Sequence, residues 1–301
     1  MVIRYKVKSP GKEKANMKRI CIVAFVFLFG AAVAFADEVD EELSNQVTDQ
    51  LRVSTRQMIR AGIESDDAIK MTRLMLNHHF REEHALRAHA IIMSAQEQGL
   101  PVAPIMNKAH EGMAKQVQDR DIVQAMENVR SRYAFAYEQA RELTEEKAQI
   151  RGLGNTIAKG LAAGVNDNDV GEIMERLQQR AQQMRRAQTI ELATETFRAA
   201  RDMARLGASS KDAADVVCQA LKHRYSTKEM KAMRTSFMTR SRTTAPTDLA
   251  RMCSSAIKQG KSAESLASSS TSGPGSMGGI GGPGSSGHEG GSGHGGGGEH
   301  K

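Results

Sequence analysis

The sequence predicts an all-α protein, and three observations predict it. Helix-favouring Ala, Leu, Met, Gln, Glu, Arg and Lys dominate residues 41–265, with few β-branched residues and no Trp in the chain. Gly and Pro are both missing from 65–98, 119–151 and 172–206. No segment alternates apolar and polar residues over a useful length, so a sheet is not expected.

Read in order, the first 36 residues stand apart. Lys12, Lys14, Lys18 and Arg19 precede an uncharged apolar run from Ile20 to Ala34, which closes on Ala34-Phe35-Ala36 before Asp37-Glu38. A basic lead-in, an apolar centre and a small-x-small site are the parts of a secretory signal peptide. The run is shorter than the ~20 residues of a membrane span, which favours cleavage over an uncleaved anchor. Translation starts at Met1 or at Met17. Either start gives an exported protein of a bacterial envelope, periplasmic or secreted. Residues 1–36 hold seven Lys/Arg and one Glu, +6 of the formal +7, so the mature chain is nearly neutral. The overall basicity is therefore a targeting feature and no nucleic-acid partner is expected. What remains is uneven. Asp37, Glu38, Asp40, Glu41, Glu42 and Asp49 make one end acidic, while 222–242 carry seven Lys/Arg against Glu229. Such a stretch reads as a solvated helix face, or as a contact surface for anionic envelope material or the acidic end of another copy.

Residues 37–265 form the expected helical domain. Short helices are predicted at 102–116, 151–163 and 210–224, long ones at 66–98, 119–149 and 167–206, and a last one at 246–258 after Pro246. Four turns share one form: an apolar residue in the bend (Ile63, Val117, Val165, Tyr225), then Ser, Asp or Thr as N-cap and an acid two residues on. These anchors are 54, 48 and 60 residues apart, with matching flanks: Met113, Leu161 and Leu221 before, Ile122, Val170 and Met230 after. A shortened fifth copy lies at 256–264. The expectation is tandem helical-hairpin repeats of roughly fifty residues, packed as an elongated array or an irregular bundle. Residues 266–301 are Gly and Ser with His288, His294 and His300, a composition expected to stay disordered or to hold metal loosely.

Candidate chemistry is sparse. His78, Glu82 and His89 would share one stripe of a continuous helix, and two imidazoles with a carboxylate suit Zn or Cu. His79 with Glu83 is a competing pair, and polar residues on an outer helix face is the plainer reading. Cys218 and Cys253 are the two cysteines left after cleavage. In an oxidising compartment they are a disulfide pair closing a loop of about 35 residues, which would contribute roughly 3–4 kcal/mol. The alternative is two buried free thiols. Met71, Met75, Met113, Met126, Met174, Met230 and Met233 fall at core spacing, although thioethers also suit Cu(I). The stretch Glu142-Leu143-Thr144-Glu145-Glu146-Lys147 resembles the Leu-Thr-x-x-Gln segment of small periplasmic helical chaperones and metal-stress sensors. It does so over six residues, with Lys147 where that family has Gln. No nucleophile elbow, phosphate-cradling loop or Glu-x-x-His pair occurs. The expected role is binding or structural, not enzymatic, with a protein or an envelope polymer as partner. The alternative is a metal-binding or envelope-stress, chaperone-like helical protein.

Overall fold

The computed structural model describes residues 47–262, together with Val39, Leu43 and Ser265; the expected leader 1–36 and tail 266–301 lie outside these described residues. Eleven helices and no strand occur among them: α1 Asp49–Arg60, α2 Ser65–Asn77, α3 Glu82–Glu97, α4 Ala103–Ala114, α5 Asp119–Arg141, α6 Lys147–Ala162, α7 Asp167–Ala181, α8 Arg186–Arg205, α9 Ser210–Lys222, α10 Thr227–Arg240 and α11 Pro246–Lys258. No helix among the described residues is long and apolar enough to cross a membrane.

Eight of the eleven helices end in the same way. A residue turns into the left-handed region at Gly62, His79, Gly99, Gln116, Gly164, Gly207, Arg224 and Gly260. The N–H of the next residue then donates to the carbonyl five positions back, from Ile63 to Met58 (3.1 Å) through Lys261 to Ala256 (3.1 Å). This bond satisfies a helix-end carbonyl that would otherwise lack a partner. Helix starts are made by side chains at Thr48, Asn166, Ser209 and Ser226, the last with Glu229 in a capping box.

The three long helices expected from the sequence are each broken in two. His78 and His79 separate α2 from α3, residues 142–146 separate α5 from α6, and residues 182–185 separate α7 from α8. No Gly or Pro marks these breaks, so composition did not reveal them. The cause is tertiary. A continuous 65–97 helix would run about 50 Å and overshoot its neighbours. Folding back lets both halves bury an apolar face. The anchors at 63, 117, 165 and 225 end α1, α4, α6 and α9, so they are separated by three, two and three helices. They mark a recurring helix end, not equivalent places in a fifty-residue unit. Val117 is exposed, whereas Ile63, Val165 and Tyr225 are buried.

The principal packings join helices one or two apart in the chain. α1 meets α2 and α3, α3 meets α5, α4 meets α5, α6 meets α8, α7 meets α9, α8 meets α10, and α9 meets α11. One apolar cluster runs through them, from Val39 and Leu43 to Ile257. The seven methionines named above are all buried. Each such side chain contributes roughly 1.5–3 kcal/mol of transfer free energy. Two glycines permit close approach. A Cβ on Gly112 would stand 2.6 Å from Ile122 Cγ1, and one on Gly154 would stand 2.5 Å from Tyr137 Cδ2. These contacts seat α4 and α6 against α5.

Candidate docking surface and buried polar clusters

His78, Glu82 and His89 are not brought together. His78 is the exposed C-cap of α2, and His79 follows with φ 54°. Glu82 opens α3 and accepts from Thr48 Oγ1 at 3.0 Å. His89 is fully buried. The stripe required one continuous helix, and the Phe80 N–H bond to Met75 O closes α2 before it. Among the described residues no three His, Cys, Asp or Glu side chains gather with metal-holding geometry. The loop between α2 and α3 instead bridges to α5. Arg81 N–H donates to Asp119 Oδ2 at 3.0 Å, and His84 Nδ1 lies 2.8 Å from the same oxygen. Partial burial works to raise the Asp119 carboxyl, but donors from Arg81, His84 and Arg120 outweigh it and hold it down to about 2.

His89 belongs to a buried network linking three helices. Its Nδ1 is 3.0 Å from Ser54 Oγ on α1, and its Nε2 is 3.2 Å from Thr72 Oγ1 on α2. Thr72 Oγ1 is 2.9 Å from Thr55 Oγ1, and Thr55 donates to Leu51 O at 2.8 Å. With Ser54 donating to Nδ1 and Nε2–H donating to Thr72, both threonine hydroxyls donate to backbone carbonyls, Thr72 to Ala68 O at 2.9 Å and Thr55 to Leu51 O. That arrangement requires a neutral imidazole. Burial enforces that state by pushing the His89 pKa down from 6.5 to about 4. The sequence held a signal for this burial, since Ala85, Ala88, Ile92 and Ala95 surround His89 at helical spacing and all are buried.

Cys218 and Cys253 are free buried thiols, so the expected disulfide is not formed. The helices that carry them, α9 and α11, do pack together. The side chains face different interfaces. Lys211 and Asp215 share the Cys218 face of α9, and Lys211 bridges to Glu172 on α7 at 3.3 Å. Asp212, which meets Arg251 of α11, lies about 120° round the helix from Cys218. Burial pushes the Cys218 thiol up to about 12 and raises Cys253 as well.

The C-terminal helices hold two charge arrangements of opposite kind. Between α8 and α10, Arg234 Nε meets Glu195 Oε1 at 2.6 Å and its Nη1 meets Asp202 Oδ2 at 3.0 Å. Both carboxylates are buried. Nearby, cations gather with little to oppose them. Tyr225 Oη donates to Lys261 O at 2.6 Å, which pins the α9–α10 turn beside the end of α11. That juxtaposition collects Lys222, Arg224, Lys228, Lys258 and Lys261, all exposed. Arg180 Nη1 joins them by donating to Leu221 O at 3.0 Å. Its pKa is lowered by burial and then by the Arg224 charge. Two kinds of carboxylate lie close by: Asp212 and Asp215 line a cleft with Lys258, and Glu229 is occupied by Ser226 in the capping box. Residues 222–261 carry ten Lys/Arg against Glu229 and Asp248. Of the five exposed cations, none makes a salt bridge among the described residues. A cleft of about 550 Å³ beside them includes Arg240, Arg251, Met252, Cys253, Gln259 and Lys261 in its lining.

The Leu143-Thr144 stretch has a local structural explanation. Thr144 is buried, accepts from Glu146 N–H at 3.2 Å and donates to Gln149 Oε1 at 2.7 Å, which shapes the turn ahead of α6. No protein-family model, curated protein or solved structure matches this chain.

Proposed function

We propose that this chain is an exported, elongated helical array with a binding or structural role, and that it meets an anionic protein or envelope polymer through its C-terminal helical surface. Export rests on the leader at 1–36. The array rests on packings that run between helices one or two apart, the pattern by which stacked helical pairs cover each other. The observation that carries the binding role is the gathering of Lys222, Arg224, Lys228, Lys258 and Lys261 at one end. Lys222 and Lys258 sit in the last turns of α9 and α11, where the helix dipole accounts for them. Arg224 and Lys261 lie just past the same two helix ends, whereas Lys228 stands in the first turn of α10, where the dipole does not favour a cation. Exposed cations that make no salt bridge among the described residues favour an anionic partner.

Titrating the purified protein with fluorescent polyglutamate tests the reading. Anisotropy is expected to rise with polyglutamate and to fall back with added salt. No salt-sensitive binding to polyglutamate overturns the anionic-partner reading. For export, the N-terminal sequence of the protein recovered from the envelope fraction is expected to begin at Asp37. Recovery of an uncleaved chain from the cytoplasm overturns it.

A further inference from the structure

We propose that the anionic partner of the basic C-terminal end is the acidic segment Asp37–Glu42 of a second copy, so that chains associate head to tail. This rests on the binding role proposed above and names its occupant. Five of the six residues in Asp37–Glu42 are carboxylates. Val39 within the segment, and Leu43 and Val47 just after it, are buried in the common core. In sequence the acidic residues stand shortly before α1.

The basic end is formed by the α9–α10 turn and α11. No principal packing joins α1 or α2 to α10 or α11. The complementary patches are therefore taken to meet between copies. Each contact uses a different patch on each partner. Such a heterologous contact leaves one acidic and one basic end free, and further chains can add. Five carboxylates facing five exposed cations give charge matching without a deep pocket. An interface of this kind is strongly salt-dependent.

Sedimentation velocity of the purified protein tests this in about 20 mM and about 500 mM salt, where the screening length differs several-fold. The expected result is a mean mass above that of one chain, rising with concentration in low salt and returning to one chain in high salt. Reversing the basic end (Lys222→Glu, Arg224→Glu, Lys228→Glu) is expected to weaken association at least about tenfold. Reversing the acidic segment (Asp40→Lys, Glu41→Lys, Glu42→Lys) is expected to do the same. Mixing the two reversed proteins is expected to restore association, since each carries the complement of the other, and restoration also shows that both fold. A wild-type protein that stays a monomer in low salt overturns the proposal. So does association that survives either reversal, or a mixture that fails to associate although both variants keep wild-type helical circular dichroism. Polyglutamate binding without self-association overturns this proposal and leaves the proposed function standing. Loss of both removes both.

Discussion

Around His89 the polar atoms buried between α1, α2 and α3 carry no net charge, whereas between α8 and α10 the buried polar atoms are ions. The neutral network closes through hydroxyls that meet His89 and then donate to the backbone carbonyls of Ala68 and Leu51. The ionic one places Arg234 between Glu195 and Asp202, and each carboxylate has a second arginine nearby, Arg198 at 3.5 Å and Arg201 at 2.7 Å. Both solve the same problem, since a buried polar atom without a partner is costly. They fail differently. A neutral network is vulnerable to a proton, while an ion cluster is vulnerable to the loss of one member.

Removing the central ion is expected to have the largest effect. Arg234→Met leaves two buried carboxylates short of a donor and should cost about 3–5 kcal/mol by urea unfolding. The lower end is expected, because Arg198 and Arg201 remain. Removing all three charges together (Glu195→Gln, Asp202→Asn, Arg234→Met) should return most of the loss, as apolar or neutral replacements of buried ion clusters do. If the triple variant is no more stable than Arg234→Met, the triad does not act as a unit.

Acid should separate the two regions next. The His89 pKa is depressed in the fold, from 6.5 to about 4. Between these values the unfolded chain binds the proton and the folded chain does not, so stability falls as pH drops from about 6.5 towards 4. The loss should approach about 3 kcal/mol, from 1.36 kcal/mol per pKa unit. In His89→Gln that slope should vanish over this window, although the variant is less stable at neutral pH. An unchanged slope would place the acid sensitivity elsewhere.

The middle of the chain supplies a control in which packing, not charge, is at stake. Gly154 of α6 faces the buried Tyr137 ring, while Gly152, two residues earlier, is exposed with nothing within 4 Å of where an added methyl group would stand. Ala favours a helix over Gly by about 0.5–1 kcal/mol at both places. At Gly154 the clash, worth about 1–3 kcal/mol, should win and leave a net loss of about 1–2 kcal/mol. At Gly152 the propensity gain should stand alone and raise stability by about 0.5–1 kcal/mol. Equal melting shifts for the two alanine variants would show that α5 and α6 are less closely packed than the ring contact implies.

Much of this was legible in the chain. The methionines at 71, 75, 113, 126, 174, 230 and 233 are core residues because their spacing matches one helix face, a local property. Helix α11 begins at Pro246 as predicted, since proline is accepted in a first helical turn. The four caps expected two residues before an acid, at Ser65, Asp119, Asp167 and Thr227, are each the first helical residue instead, one past the observed N-caps Glu64, Gln118, Asn166 and Ser226. The candidate sites were not readable. His78, Glu82 and His89 share a stripe only if residue 79 is helical, and its left-handed conformation depends on what Phe80 and Arg81 meet in space.

The helical class, the capping of helix ends, the apolar faces and the uneven distribution of charge all depend on residues within a few turns of one another, so the chain alone was enough to set them. Where the long helices break, which way each cysteine faces, which hydroxyls meet His89, and that the α9–α10 turn lies against α11 were settled by packing in three dimensions. Those outcomes depend on contacts between residues roughly seventeen to forty positions apart, such as Thr72 with His89 and Tyr225 with Lys261. Helical periodicity decays within a few turns and carries no record of them.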